Sequence, residues 1–184
     1  MQRMKNIKFH VLIIFLICPL FAKDIYFTRS GTISFYSSAI LEDIKAINDQ
    51  VTCVLDLETF DVAFRVPIRG FTFDNSMMQE HFNENYLESE KFPNAAFKGK
   101  IDGFNSIKLS QDPQEVTLNG TLTIHGISQK IQEKGTIAIL DGFIQGNAQF
   151  HIIVADYGIV VPKIVRNNIA KTMDITVSLK LKEK

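Results

Sequence analysis

The side chains able to do chemistry are few, and their spacing does not gather them. Beyond Ala22 there are three histidines, His81, His125 and His151, each on a different predicted element. None has a second histidine four residues away or a flanking set of ligands, so no metal site is expected. Structural roles are expected instead: His81 on a helix face, His125 at a turn end bonded to its own loop, His151 exposed or capped. The paired carboxylates Glu42-Asp43, and Glu88 with Glu90, lie in polar connections, where solvation explains them better than acid/base work. No Gly-rich loop leads from a strand into a helix, and no Gly-x-Ser-x-Gly elbow occurs. Asn119-Gly120-Thr121 matches a glycosylation acceptor, but it sits inside a strand pattern and reads as chance. Cys53 is the one cysteine beyond Ala22, and it is expected as a small buried hydrophobe. No catalytic residue, metal or cofactor is therefore expected, and the chain does not read as an enzyme.

The amino-terminal residues form a unit of their own. Arg3, Lys5 and Lys8 make a basic head, and Val11 to Leu20 is an apolar run, followed by Ala22. Ten apolar residues fall well short of the roughly 20 that a membrane-crossing helix needs. The segment 1–22 reads as a secretory signal peptide cleaved near Ala22, leaving one domain over 23–184 in the periplasm or outside the cell. Removing its three basic residues leaves 17 basic against 20 acidic, a net charge of −3. That balance, without Lys/Arg clusters, gives no footprint for nucleic acid. No second apolar run is long enough to span a bilayer, so an integral membrane protein is not expected.

A period of two dominates the remaining chain. Met173, Ile175, Val177, Leu179 and Leu181 alternate with polar residues, as a strand with one buried face requires. The same alternation runs through Val51–Leu57, Phe60–Ile68, Val116–Ile124, Gly31–Phe35 and Phe150–Val154, and more weakly near 94–101 and 129–140. About eight strands result. Glu58-Thr59, Gly126 and Asp141-Gly142 are turn signals, so consecutive strands pair antiparallel. Asp102 to Glu115 and Asp156 to Lys171 are the longest irregular stretches. Two segments depart from the strand pattern. Ser76-Met77-Met78-Gln79 has the form of a capping box, and Met78, Phe82 and Tyr86 then share one helical face, predicting a helix over Asn75–Leu87. Leu41, Ile44 and Ile47 repeat every three residues and suggest a helical turn or two. A sheet of eight antiparallel strands hides its edges as a barrel or as two packed sheets, and a closed barrel is either filled or holds one small ligand.

Apolar excess is the remaining signal. Twelve of the 15 phenylalanines lie beyond Ala22. Phe71, Phe73, Met77, Met78, Phe82, Tyr86, Phe92 and Phe97 gather where strand, turn and helix meet, and Phe150 lies on a later strand. Ordinary core explains each of them singly. Together, Phe and Met also make adaptable apolar walls for a flexible hydrocarbon.

Longer segments then resemble a known family. Glu88-Ser89-Glu90-Lys91-Phe92-Pro93-Asn94-Ala95-Ala96-Phe97-Lys98-Gly99 resembles the Phe-Pro segment of YceI-like proteins. Val116 to Gly126 resembles that family's strand ending Leu-Thr-Ile-His-Gly. Asp156-Tyr157-Gly158-Ile159 with the terminal alternating strand looks like its closing element, and Phe71-Thr72-Phe73 with Met77-Met78 and His81-Phe82 resembles its strand-to-helix entry. The resemblance covers roughly Thr32 to Leu181. It implies an all-β, eight-stranded antiparallel lipocalin-like barrel with one short helix; the sequence departs from the family pattern in its opening strand, which reads as reduced to Gly31–Phe35. It further implies a long tunnel holding a long-chain isoprenoid-type lipid, a polyisoprenoid or isoprenoid quinone. The nine residues Phe71 to Phe150 named above are then the expected lining, with the helix capping one barrel end. The alternative is the same barrel filled by its own side chains and acting as a structural or interaction module.

Overall fold

Alternating apolar and polar residues give each strand one dry face, and the chain must bring those faces together. The computed structural model describes residues 24–38, 43–103, 109–160 and 172–184. The expected signal segment, and Leu41 and Glu42, lie outside them.

The strands are β1 (Ile25–Ser37), β2 (Ile44–Asp56), β3 (Asp61–Pro67), β4 (Thr72–Phe73), β5 (Asn94–Asp102), β6 (Gln114–Ile124), β7 (Ile127–Leu140), β8 (Phe143–Ile153) and β9 (Thr172–Glu183). Every pairing is antiparallel, and β1 pairs with both β2 and β9, which closes an eight-stranded barrel. β4 is a two-residue strap that follows β3 along the same edge of β2. The alternation and turn signals anticipated an antiparallel sheet, and the fold is the lipocalin-like barrel with one short helix that the resemblance implied.

Two hairpins turn on two residues each. His125-Gly126 (φ 51° and 76°) and Asp141-Gly142 (φ 51° and 77°) both hold positive φ throughout, the pairing that lets a tight turn follow the strands' twist. At Gly126 the backbone is doubly constrained, because a Cβ there would come within 2.5 Å of the Phe92 ring.

Two expectations are corrected. The three-residue spacing of Leu41, Ile44 and Ile47 is not helical where it can be seen. Ile44–Ile47 opens β2, with Ala46 inside and Ile47 outside, paired to Ser37–Ser34 of β1. The opening strand is not shortened either: β1 has 13 residues, and its alternation was obscured by bulges between Thr28 and Ile33. On β2 the matching irregularity turns Asn48 inward. Its Nδ2 donates to the Pro67 carbonyl at 2.7 Å and its Oδ1 accepts the Gln50 N–H at 2.8 Å, so the buried amide is satisfied and ties β2 to β3.

The helix α1 (Ser76–His81) continues as one π-helical turn, Phe82–Tyr86. The cap is Asn75 rather than Ser76: its Oδ1 accepts from the N–H groups of Met77 and Met78. Gln79, expected in the capping box, instead accepts the N–H of Phe73, which fastens the helix to β4.

The barrel's two halves are packed differently. At the end away from the helix, Cys53, Leu55, Ile144 and Leu181 are almost completely buried. Burial pushes the Cys53 thiol up to about 12, leaving it a neutral packing group at ordinary pH. Only a void of about 50 Å³ remains there. Ile144 is 0% exposed and sits opposite Leu181 across the β8–β9 ladder. Ile144→Ala is therefore expected to cost about 2–5 kcal/mol in urea unfolding, as cavity-forming truncations in close-packed cores do. A cost below about 1 kcal/mol would show that this half is loosely packed.

Candidate functional site: an apolar cavity under the helix

In the helix-side half the inward side chains stop short of one another and enclose a cavity of about 450 Å³. That lies within the usual range for small-molecule pockets, about 300–1,000 Å³. Phe64, Leu118, Ala148 and Val177 line both this cavity and the small void beyond, so they form its floor. The long tunnel implied by the resemblance is thus a cavity confined to one half of the barrel.

The wall is built by alternation. On β6, Leu118, Leu122 and Ile124 face in; on β9, Met173, Ile175 and Val177 do so. Two glycines shape it: Gly99 and Gly120 stand opposite each other, and a Cβ on either would come within 2.8 Å of the Phe97 ring tip. The ring therefore lies flat along the inside of the wall rather than across the space. Of the 30 lining residues, only His81, Tyr86 and Glu133 carry a polar or ionisable side chain, so the interior favours hydrocarbon.

The roof is aromatic. Phe82 from the helical segment packs against Phe35, Phe71 and Phe73 with ring centroids 5.0–5.5 Å apart. Such pairs add roughly 0.5–1.5 kcal/mol each beyond burial. Seven of the nine residues singled out from the sequence lie on the cavity: Phe71, Phe73, Met78, Phe82, Tyr86, Phe97 and Phe150. Met77 points into solvent, 63% exposed, one position off the apolar helical stripe. Phe92 lies outside the cavity, edge-on to His125 at 4.6 Å. Sequence reasoning missed Phe35 and Phe64, whose strands it had placed but whose inward role it had not assigned. It also missed Glu133, hidden because a carboxylate at an inward position breaks the alternation.

The histidines have separate places. His125 Nε2 lies 2.7 Å from Glu88 Oε2 and its Nδ1 3.2 Å from the Tyr157 carbonyl. His151 Nδ1 lies 2.6 Å from Asp174 Oδ1, its cross-strand partner on the outer surface. His81 stands at the cavity mouth. Among the described residues no group of three or more His, Cys, Asp or Glu is placed to hold a metal ion. Likewise, no helix among them is long and apolar enough to cross a membrane.

The YceI-like domain family matches residues 25–181. The chain belongs to the YceI-like family. Solved structures give the same fold at low identity. A polyisoprenoid-binding domain from Saccharophagus degradans, implicated in plant cell wall breakdown, superposes with a TM-score of 0.77 at 14% identity, covering 89% of this chain and 100% of that one. BcnA of Burkholderia cenocepacia gives 0.68 at 12% identity, covering 82% and 95%. A YceI protein of Campylobacter jejuni gives 0.51 at 16% identity, covering 98% and 99%. No match was found among curated proteins.

Three of the four segments that carry the family resemblance meet at one corner of this YceI-like barrel. Phe92 packs under Gly126, Glu88 and Tyr157 hold His125, and Gly158 leaves room for Ile127. These contacts staple the helix exit to the β6–β7 turn, while Phe97, Leu118, Leu122, Ile124 and Ile159 of the same segments line the cavity.

Two outcomes are expected at this site. Phe82→Ala removes the ring that joins the helix to three others, so the amides of Ser76–Tyr86 should exchange faster with solvent while those of β6–β9 do not change. Equal protection in both proteins would show that the helix is held by Gln79 and Asn75 alone. Glu133 gives a pH signature. Burial raises its carboxyl above the ordinary range, and His151 on β8 pulls the other way; Tyr157 is raised by its burial first, then by the Asp156 and Glu133 charges. A carboxyl raised on folding binds its proton more tightly in the native state, so it costs stability as pH rises from the ordinary value, about 4.3, through the folded-state value. Relative to Glu133→Gln, the native protein should therefore lose stability across that window. A constant difference between the two proteins in urea unfolding at several pH values would contradict the burial.

Proposed function

We propose that this protein is exported, loses residues 1–22, and holds a long apolar isoprenoid-type lipid in the helix-side half of its barrel, without catalysing a reaction. The observation that carries this reading is the 450 Å³ cavity with its nearly unbroken apolar wall. The polyisoprenoid-binding function of the S. degradans neighbour supports the ligand class. The barrel would make the compartment in which a water-insoluble chain can be held away from solvent, in the periplasm or outside the cell.

Physics favours area over polar recognition in such a site. A tail hiding on the order of 700 Å² gains roughly 17 kcal/mol gross, at about 25 cal/mol/Å², before the costs of ordering and association. Ring-rich walls suit a branched chain because each ring can shift by rotamer to meet a methyl branch. The floor limits how much of the tail enters, so a longer chain must leave its remainder at the mouth beneath Phe82 and Met78.

The test is native mass spectrometry of the freshly purified mature chain, with organic extraction, set beside Ala148→Phe. Ala148 lies at the floor, and a phenyl ring there fills the space at an overpacking cost of about 1–3 kcal/mol. The native protein is expected to carry or take up isoprenoid lipid, and the substituted protein to lose it while keeping its far-UV circular dichroism. A native protein that neither carries nor takes up such a lipid would leave a structural or interaction module without a lipid ligand as the correct reading.

A further inference from the structure

Glu133 is the one carboxylate among the residues lining the cavity. It sits on the inward face of β7 with Ile131 and Gly135, directly across the β6–β7 ladder from Leu118. Its neighbours in sequence, Gln132 and Lys134, are exposed on the other face. Among the described residues no hydrogen bond or salt bridge reaches its carboxylate.

The strand pairing explains how a carboxylate is tolerated there. The β7–β8 ladder stops at Gly135 and Ala148, although β6–β7 pairing continues to Ile127 and β8–β9 pairing continues to Ile153. The wall therefore divides beside Glu133. The wider part of the wedge is taken by the 3-10 turn Val154–Tyr157, anchored by Gln129 Nε2 donating to the Asp156 carbonyl at 2.9 Å. Glu133 stands at the narrow part, half-buried, where it faces both the cavity and water.

We propose that Glu133 selects the head group of the bound lipid, accepting a hydrogen bond from a neutral hydroxyl and excluding a phosphate. The inference rests on the lipid-binding reading and narrows it. A hydrocarbon filling the cavity would strip water from the carboxylate and leave it without a partner, which is costly. A hydroxyl restores the lost bond, and a bond to a charged acceptor is among the strong ones. A phosphate brings like charge against the carboxylate where screening is weak. The lipid would then lie head-inward at the wedge, with its tail running along Phe97 and Phe150 toward the helix.

Three probes with one C20 chain separate the possibilities: phytol, phytyl monophosphate and phytane. Their binding to the mature native protein, Glu133→Gln and Glu133→Leu is measured by displacement of a fluorescent apolar dye, with circular dichroism as the fold check. In the native protein phytol is expected to bind about tenfold or more tighter than either of the others. In Glu133→Leu the preference for phytol over phytane should vanish while phytane still binds. In Glu133→Gln, which keeps shape and removes the charge, discrimination against the phosphate should shrink. If native and Glu133→Leu rank the three probes alike, the head-group role is wrong and lipid carriage stands. If the native protein takes up none of them, the carriage reading falls and this inference with it.

Discussion

Closure of the hydrogen-bond ladder through β1 sets every other feature of the molecule. Because β1 pairs with β2 on one side and β9 on the other, the sheet closes on itself, and apart from the split between β7 and β8 beside Glu133 the girth of the interior is fixed by the backbone. Side chains cannot draw the wall inward. Whether a given level of the barrel is solid or hollow is then decided by the sizes of the inward residues and the direction in which they lie. At the far end, Ile144, Leu55 and Leu181 are buried in one apolar cluster around the small void. At the helix end, Gly99 and Gly120 let Phe97 lie against the wall, and space is left. One ladder thus supports a stable core and a vacancy, and the first offsets what the second forgoes in packing.

The helix closes that vacancy without filling it. Its hold on the barrel is local: Phe82 among three rings, the Phe73 N–H donated to Gln79, and the corner where His125, Glu88 and Phe92 meet. A six-residue α-helix with a π-turn has little stability of its own, so these contacts and not intrinsic propensity keep it in place. An element held this way can open while the barrel stays intact, which is what entry of a chain from one end requires.

Much of this was legible in the sequence because a half-buried strand writes its geometry into every second residue. The terminal alternation from Met173 to Leu181 fixes an inward face that the structure reproduces, and Asp141-Gly142 marks its hairpin without ambiguity. The helix face of Met78, Phe82 and Tyr86 was equally plain. What could not be read followed from bulges and from partners distant in sequence. The irregularities between Thr28 and Ile33 and after Asn48 shift the alternation, so the opening strand reads as short, whereas Ile44–Ile47 pairs regularly and reads as helical only because the three-residue spacing from Leu41 also fits a helix. Phe92 was placed with the lining because it is aromatic and near the helix; its actual role depends on Gly126, more than thirty residues away. Glu133 was overlooked for the opposite reason: an acidic residue on a strand is normally read as the wet side, and only the strand partners show that it faces the oily interior. The family motifs, in turn, serve both parts: Glu88, Phe92 and His125 fasten the corner beside the helix, and Phe97, Leu122 and Ile124 line the cavity.

A lipid chain in the helix-side half of the barrel must leave the other half untouched. Intermolecular NOEs between phytol and methyl-labelled protein test this directly. Contacts are expected to the methyls of Leu118, Leu122, Ile131 and Ile152, and none to those of Ile144 and Leu181. Contacts at both ends, or only at surface methyls such as Ile47, would contradict it.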